Sequence, residues 1–209
     1  MNIEDINGID RWAAGKSSER ISSISDIPFG ASFAAPVAML IDGDINDHTG
    51  QVLLLYLESL ATTATLYTMT VGIVNRSRPY VYDDSGETSM SRRLSANGQR
   101  SFFAGHVAAS ATGTFFAAKI YNDFHPDSPA VPWVWAGAAT IPAAVAYLRI
   151  EAGQHFLTDV TVGYVIGAAV GILVPELHKK KNRKLDISPT SGINATGNQY
   201  TGLSLRYQF

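Results

Sequence analysis

Between residues 156 and 177 the chain is apolar and places glycine at positions 163, 167 and 171. A four-residue step returns to the same face of a helix. The run therefore predicts a helix with one small-residue face, against which a neighbouring helix can pack closely. That constraint points to packed helices, and other segments agree. Residues 51–74 are filled with Leu, Tyr, Met and Val and carry one charge, Glu58. Residues 133–150 predict another long helix, kinked at Pro142. Residues 106–121, rich in alanine with Phe115 and Phe116, predict a buried helix. The expected fold is all-α, a helical bundle.

The remaining segments are less regular. Residues 3–12 suit a short helix. Residues 17–25 are serine-rich and read as irregular, and the small apolar stretch 32–41 is interrupted by Pro36. Arg78-Pro79 ends the second run, because proline disfavours helix in the residue before it. Residues 83–100 are polar with Gly86 and Gly98, and read as a long loop of the kind that often carries function. A turn region with three prolines covers 122–132. The basic run at 178–184 reads as a solvated helix end that complements the helix dipole, with a membrane-facing patch as the sharper alternative. Residues 202–209 alternate like a single strand. The division this implies is an N-terminal segment at 1–47, a helical core at 48–178, and a basic linker and tail at 179–209.

With 209 residues the chain can bury the core of one domain. A net charge of −2 gives no global attraction for nucleic acid. It has no cysteine, which excludes disulfides, thiolate metal sites and a cysteine nucleophile. The polar start, Met1 to Asp5, lacks the pattern of a signal peptide. A mature exported form and a cytoplasmic one would look alike here.

Residues 51–74, 131–150 and 156–177 approach the roughly 20 residues that span a bilayer. They are diluted by Thr, Ser, Gly and Ala, and mean hydropathy is only +0.05. Such helices serve equally as the core of a soluble bundle. The balance favours a soluble or peripheral periplasmic protein, with an inner-membrane protein as its rival. In the second case the basic run after Leu177 would be cytoplasmic, leaving His155 on the outer side.

The chemistry concentrates in Leu148-Arg149-Ile150-Glu151-Ala152-Gly153-Gln154-His155-Phe156-Leu157-Thr158-Asp159, which reads R-x5-H-x3-D. An arginine can clamp an oxyanion, and a histidine can attack or accept a proton. A carboxylate one turn on can orient that histidine. Two further segments join it: Asn75-Arg76-Ser77-Arg78-Pro79-Tyr80 and Ser101-Phe102-Phe103-Ala104-Gly105-His106. In this order and spacing the three resemble the type 2 phosphatidic acid phosphatase (PAP2) superfamily, which includes bacterial acid phosphatases and vanadium haloperoxidases. Its pattern is K-x6-R-P, then P-S-G-H, then S-R-x5-H-x3-D.

The resemblance implies a helical phosphatase fold. It implies that His155 is the nucleophile forming a phosphohistidine, that His106 is the general acid, and that Asp159 accepts the N–H of His155 and fixes its tautomer. Arg78, Arg149 and the backbone of Gly105 would bind phosphate, with no metal and no cofactor. The substrate would be a phosphate monoester, with lipid phosphates and pyrophosphates in the same class. A membrane would be the partner if the substrate is a lipid.

This chain departs from the pattern at Val71 for the lysine, Phe103 and Ala104 for Pro-Ser, and Leu148 for the serine before Arg149. Among the nearby arginines 76, 92, 93 and 100, Arg76 is the expected replacement for the lysine because it shares the first motif's segment. The departures motivate a second reading, a degenerate member that binds an anion without turnover. A vanadate-dependent haloperoxidase is the third. His48, His125 and His178 match no motif and are read as surface residues.

Overall fold

The computed structural model describes residues 3–179, 185–193 and 197–207, in two compact units that divide after Leu177. The first unit is helical. Its elements are α1 (Glu19–Ala38), α2 (Gly43–Asn46), α3 (Thr49–Ile73), α4 (Met90–Arg93), α5 (Gly105–Phe124), α6 (Val131–Glu151) and α7 (Leu157–His178). Short 3-10 turns lie at Ile3–Asp5, Arg11–Ala13, Met39–Ile41, Pro79–Tyr82 and Ala96–Gln99.

Helix α5 is the centre of the bundle. It packs against α1, α3 and α6, and most of its residues from Val107 to Ile120 are buried. The glycine face of α7 lies directly on its backbone. A β-carbon on Gly163, Gly167 or Gly171 would stand 2.6, 2.1 and 2.6 Å from the carbonyl oxygens of Ala104, Ala108 and Thr112. The two helices thus meet in matched four-residue steps, and the contact is sealed by Thr112. Its hydroxyl lies 3.3 Å from the Gly167 carbonyl and 2.7 Å from Thr63 Oγ1 on α3.

Helix α1 corrects the expectation of an irregular serine-rich stretch. Ser18 caps it by accepting from the Ile21 amide at 3.3 Å. Ser23, Ser25 and Ser32 return their hydroxyls to backbone carbonyls three or four residues earlier, so their polarity is satisfied within the helix. The helix also runs through Pro28 and Pro36. At 83–100 the expected loop holds two short helical pieces, α4 and the turn Ala96–Gln99.

Phe103, Phe116 and Phe156 fill the core, but α1 and α3 also turn small and polar residues inward and large apolar ones outward. The buried residues of α1 are Ser25, Ser32 and Pro36, and those of α3 include Ser59 and Thr63. Leu54 is 69% exposed, Ile73 81%, Trp133 79% and Leu177 75%. An aqueous bundle buries its large apolar side chains; this one leaves many of them on its outer surface. Among the described residues, four helices, at Glu19–Ile41, Thr49–Ile73, Val131–Glu151 and Leu157–His178, are long and apolar enough to cross a membrane. The chain-wide mean hydropathy of +0.05 averages these helices, whose 18-residue windows reach 1.3–1.9, with polar segments outside them.

In the second unit, β1 (Leu185–Ile193) pairs antiparallel with β2 (Gln199–Tyr207), with Leu185 opposite Tyr207 and Ile193 opposite Gln199. The tail expected to hold one strand therefore holds a hairpin. Most of the basic run, residues 180–184, and the end of the tail, 208–209, lie outside the described residues.

Candidate active site

Three chain segments are stitched together at the N-terminal end of α5. The Arg76 amide donates to the Gln99 carbonyl at 3.0 Å, the Arg78 amide to Gly98 at 2.8 Å, and the Ser101 amide to Arg76 at 2.9 Å. The Tyr80 amide reaches the Gly153 carbonyl at 3.1 Å, and the Ala104 amide reaches that of Asp159 at 3.1 Å. Gly153 makes the turn between α6 and α7 with φ +70°, and a β-carbon there would stand 1.7 Å from the Lys16 carbonyl oxygen. A side chain is excluded by both the backbone and the space.

These stitches bring all three motif segments together. His155 sits in the α6–α7 connection with 2% of its surface exposed. His106 occupies the first turn of α5, its ring 4.5 Å from that of Phe29 on α1. Arg149, in the last turn of α6, is 5% exposed, and Arg78, at the start of the Pro79–Tyr82 turn, is 8% exposed. Gly105 opens α5 against the Tyr67 ring, where a β-carbon would lie 2.9 Å from a ring carbon.

The acceptor for His155 differs from the expectation. His155 Nδ1 lies 2.7 Å from the backbone carbonyl of Ser101. A carbonyl can only accept, so Nδ1 carries the proton and Nε2 keeps its lone pair. Asp159 is one bond further away: Oδ2 accepts the Ser101 hydroxyl at 2.6 Å and the Phe156 amide at 2.8 Å. Burial, followed by the charge on Arg78, holds the His155 imidazole well below its ordinary pKa. It is a neutral base at physiological pH.

Arg76 also departs from its expected role. Its Nη1 pairs with Asp159 and bonds Thr158 Oγ1 at 2.8 Å, and its Nη2 lies 2.6 Å from Asp10. The guanidinium rests over the Phe156 ring at 4.8 Å. Two buried carboxylates claim this cation, so it is not a free replacement for the lysine of the first motif. Val71 lies in a separate cavity of about 540 Å³ with Gln99 and Arg100, which neither histidine lines.

Arg78 and Arg149 keep unspent donors. Arg78 Nη1 donates to Gln154 Oε1 at 2.5 Å. Arg149 gives Nη1 to Ser22 Oγ at 3.3 Å and Nη2 to Asp26 at 2.8 Å. The buried Nε of each has no hydrogen-bond partner. Both cations act on both histidines. Burial first, and then Arg149, depress His106 to about 4, with Arg78 adding to the effect.

Asp10, Ser22, Asp26, Ser101 and Gln154 were not singled out from sequence. Gln154, next to His155, carried a positional signal. Asp10 lies 66 residues from Arg76 and 148 from Thr158, and Asp26 lies 123 from Arg149, so neither carried one. Among the described residues, Asp42, Asp44 and His125 form a group whose ligand atoms lie within 4.8 Å of one another, a spacing that could hold a metal ion. It sits at the far end of α5, about 30 Å of helix away from His106. There Asp42 caps α2 and holds His125 Nε2 at 3.1 Å.

No curated protein matches the chain. Among solved structures it is similar to the first transmembrane PAP2 type phosphatidylglycerolphosphate phosphatase from Bacillus subtilis. The TM-score is 0.58 and the identity 23%, over 79% of this chain and 78% of that one, a likeness of fold. The PAP2 superfamily model matches residues 52–183, a span that takes in Arg78, His106, Arg149, His155 and Asp159, and the chain belongs to that superfamily.

Proposed function

We propose that this chain is a membrane-embedded phosphatase that hydrolyses the phosphate monoester of a lipid. The observation that carries the reading is the pair of buried guanidiniums, Arg78 and Arg149, each with an unpartnered Nε, acting on two imidazoles held neutral. Buried charge without full hydrogen bonding is costly. A phosphate dianion would satisfy both forks, which match its oxygens bidentately. The bound dianion offsets the arginines and lets His106 take up a proton; His155 Nε2 then attacks phosphorus, the P–O bond to the alcohol breaks, and His106 delivers that proton to the leaving oxygen. Water next attacks the phosphohistidine, His106 takes its proton, and inorganic phosphate leaves.

The lipid substrate rests on the surroundings of His106. A cavity of about 370 Å³ runs beside it, walled by Phe29, Phe33, Leu60, Ala64 and Tyr67. The side that protonates the leaving alcohol is thus apolar, and the alcohol's chain would lie where the outward faces of α1 and α3 already favour hydrocarbon. The likeness to a transmembrane phosphatase fold and the four long apolar helices support the same setting.

Phosphate release from a phosphorylated diacylglycerol in mixed micelles, beside p-nitrophenyl phosphate, tests the reading. Turnover of the lipid that His155→Ala abolishes is expected. Equal turnover of both substrates would defeat the lipid assignment. A second reading, anion binding without turnover, draws on Ala104 and Val71 standing where the family has phosphate ligands. Vanadate binding without release of phosphate from either substrate would select it.

A further inference from the structure

The N-terminal segment lies outside the span matched by the family model, yet it delivers a carboxylate into the site. Asp10 is fully buried. Its Oδ1 accepts the Thr158 amide at 3.0 Å, capping the first turn of α7 from another part of the chain. Its Oδ2 accepts from Thr158 Oγ1 at 2.5 Å, Asn7 Nδ2 at 2.7 Å and Arg76 Nη2 at 2.6 Å. Burial works against the charge, but the bonds from Thr158, Asn7 and Arg76 outweigh it and hold the carboxyl below its ordinary value.

From Asp10 a continuous chain of bonds leads to the nucleophile. Arg76 is divided between Asp10 and Asp159. Asp159 holds the Ser101 hydroxyl, and the Ser101 carbonyl holds His155 Nδ1. Two carboxylates at one helix N-terminus repel each other unless a cation lies between them. Arg76 is that cation, and its fork gives one nitrogen to each. Without the charge on Asp10 the fork would turn wholly onto Asp159, where it matches a carboxylate bidentately. That rotation pulls Asp159 away from Ser101, and the carbonyl that sets the His155 tautomer loses its anchor.

We propose that Asp10 is a positioning residue for the nucleophile: through Arg76, Asp159 and Ser101 it fixes the ring and the tautomer of His155. The proposal rests on the reading of His155 as nucleophile, while its bond chain stands independently of turnover. The activity arm uses the full chain in detergent. Asp10→Asn keeps the side-chain size and an acceptor for Thr158 but loses the charge. A fall in kcat of about 10- to 100-fold is expected, with KM and the vanadate dissociation constant within about threefold of wild type, since Arg78 and Arg149 are untouched. Arg76→Lys, which keeps the charge but loses the planar fork that gives one nitrogen to each carboxylate, should reproduce the same split. Unchanged kcat with only a lower unfolding temperature would reduce Asp10 to a structural role and overturn the proposal.

A second arm needs no turnover. Nitrogen-15 NMR of labelled His155 should show the proton on Nδ1 in wild type and a mixture of tautomers in Asp10→Asn. If wild type carries its proton on Nε2, or if both proteins give the same spectrum, the proposal fails. A wild type that shows the Nδ1 tautomer but releases no phosphate would sink the functional reading instead. If Asp10→Asn does not fold, the wild-type spectrum together with Arg76→Lys decides.

Discussion

Asp26 Oδ1 stands 2.8 Å from Arg149 Nη2, so a carboxylate of α1 already occupies part of the fork expected to hold phosphate. Ser22, Asp26 and Phe29 lie on one face of α1 at the spacing of successive turns. All three meet the site, Ser22 and Asp26 at Arg149 and Phe29 at His106. A phosphate dianion arriving at Arg149 must share it with Asp26 or displace it. Asp26→Asn should therefore lower the inhibition constant of inorganic phosphate about three- to tenfold, a modest effect because the Asp26 side chain is 61% exposed. Competitive inhibition assays check this. A raised constant would mean that Asp26 orients Arg149 rather than competing for it.

The pH dependence should follow His106. With the site empty, its imidazole is depressed to about 4 by burial and then by Arg149, with Arg78 adding to the effect and Asp26 opposing it. It is thus mostly neutral at pH 7, whereas a general acid must carry its proton. A bound dianion offsets both arginines and restores the proton. kcat/KM expressed on the dianion concentration, which reports the free enzyme, should fall about tenfold per pH unit above roughly pH 5. kcat should hold to at least about one pH unit higher, because it reports the bound state. Initial rates with a substrate of known second ionisation give both curves. A kcat/KM per dianion that is flat from about pH 5 to 8 would remove His106 from the role.

The contact between α5 and α7 should tolerate no added carbon. A methyl on Gly167 would stand 2.1 Å from the Ala108 carbonyl oxygen, and backbone on both sides leaves nothing flexible to move. Gly167→Ala should cost about 1–3 kcal/mol, the usual range for overpacking. It should also reduce activity, because α5 and α7 carry His106 and Asp159. Gly137→Ala on α6 meets nothing within 4 Å. It should be neutral or gain up to about 1 kcal/mol from helix propensity. Thermal unfolding in detergent compares the two.

What was legible in the sequence was local. The glycines at 163, 167 and 171 and the long apolar runs anticipated the helices because helix periodicity is a short-range signal. Arg78, His106, Arg149, His155 and Asp159 could be nominated because their motifs are contiguous in the chain. Helix α1 was hidden, since serine composition does not reveal that Ser23, Ser25 and Ser32 turn their hydroxyls back onto their own helix. Strand β1 was hidden because only its partner alternates clearly. Arg76 was assigned to phosphate by proximity along the chain. Its real partners depend on Asp10, which tertiary packing alone brings to Asp159. The tautomer of His155 likewise rests on the Ser101 carbonyl, a backbone atom that no sequence pattern marks.

Ala104 offers a test in the direction of gain. It occupies the N-cap of α5 without a side-chain capping bond, directly before Gly105 and His106. A serine there could accept from the amides of the first turn, a bond worth about 1 kcal/mol over alanine. It would also restore a hydroxyl at the position where the family pattern has one. Ala104 is fully buried and its backbone already touches Gly163, so the added oxygen must be satisfied by the helix amides or by phosphate. Ala104→Ser should raise the unfolding free energy by about 1 kcal/mol and tighten vanadate binding about two- to tenfold. Melting curves with and without vanadate measure both effects. A lower melting temperature with unchanged vanadate affinity would show that the cradle has closed around alanine.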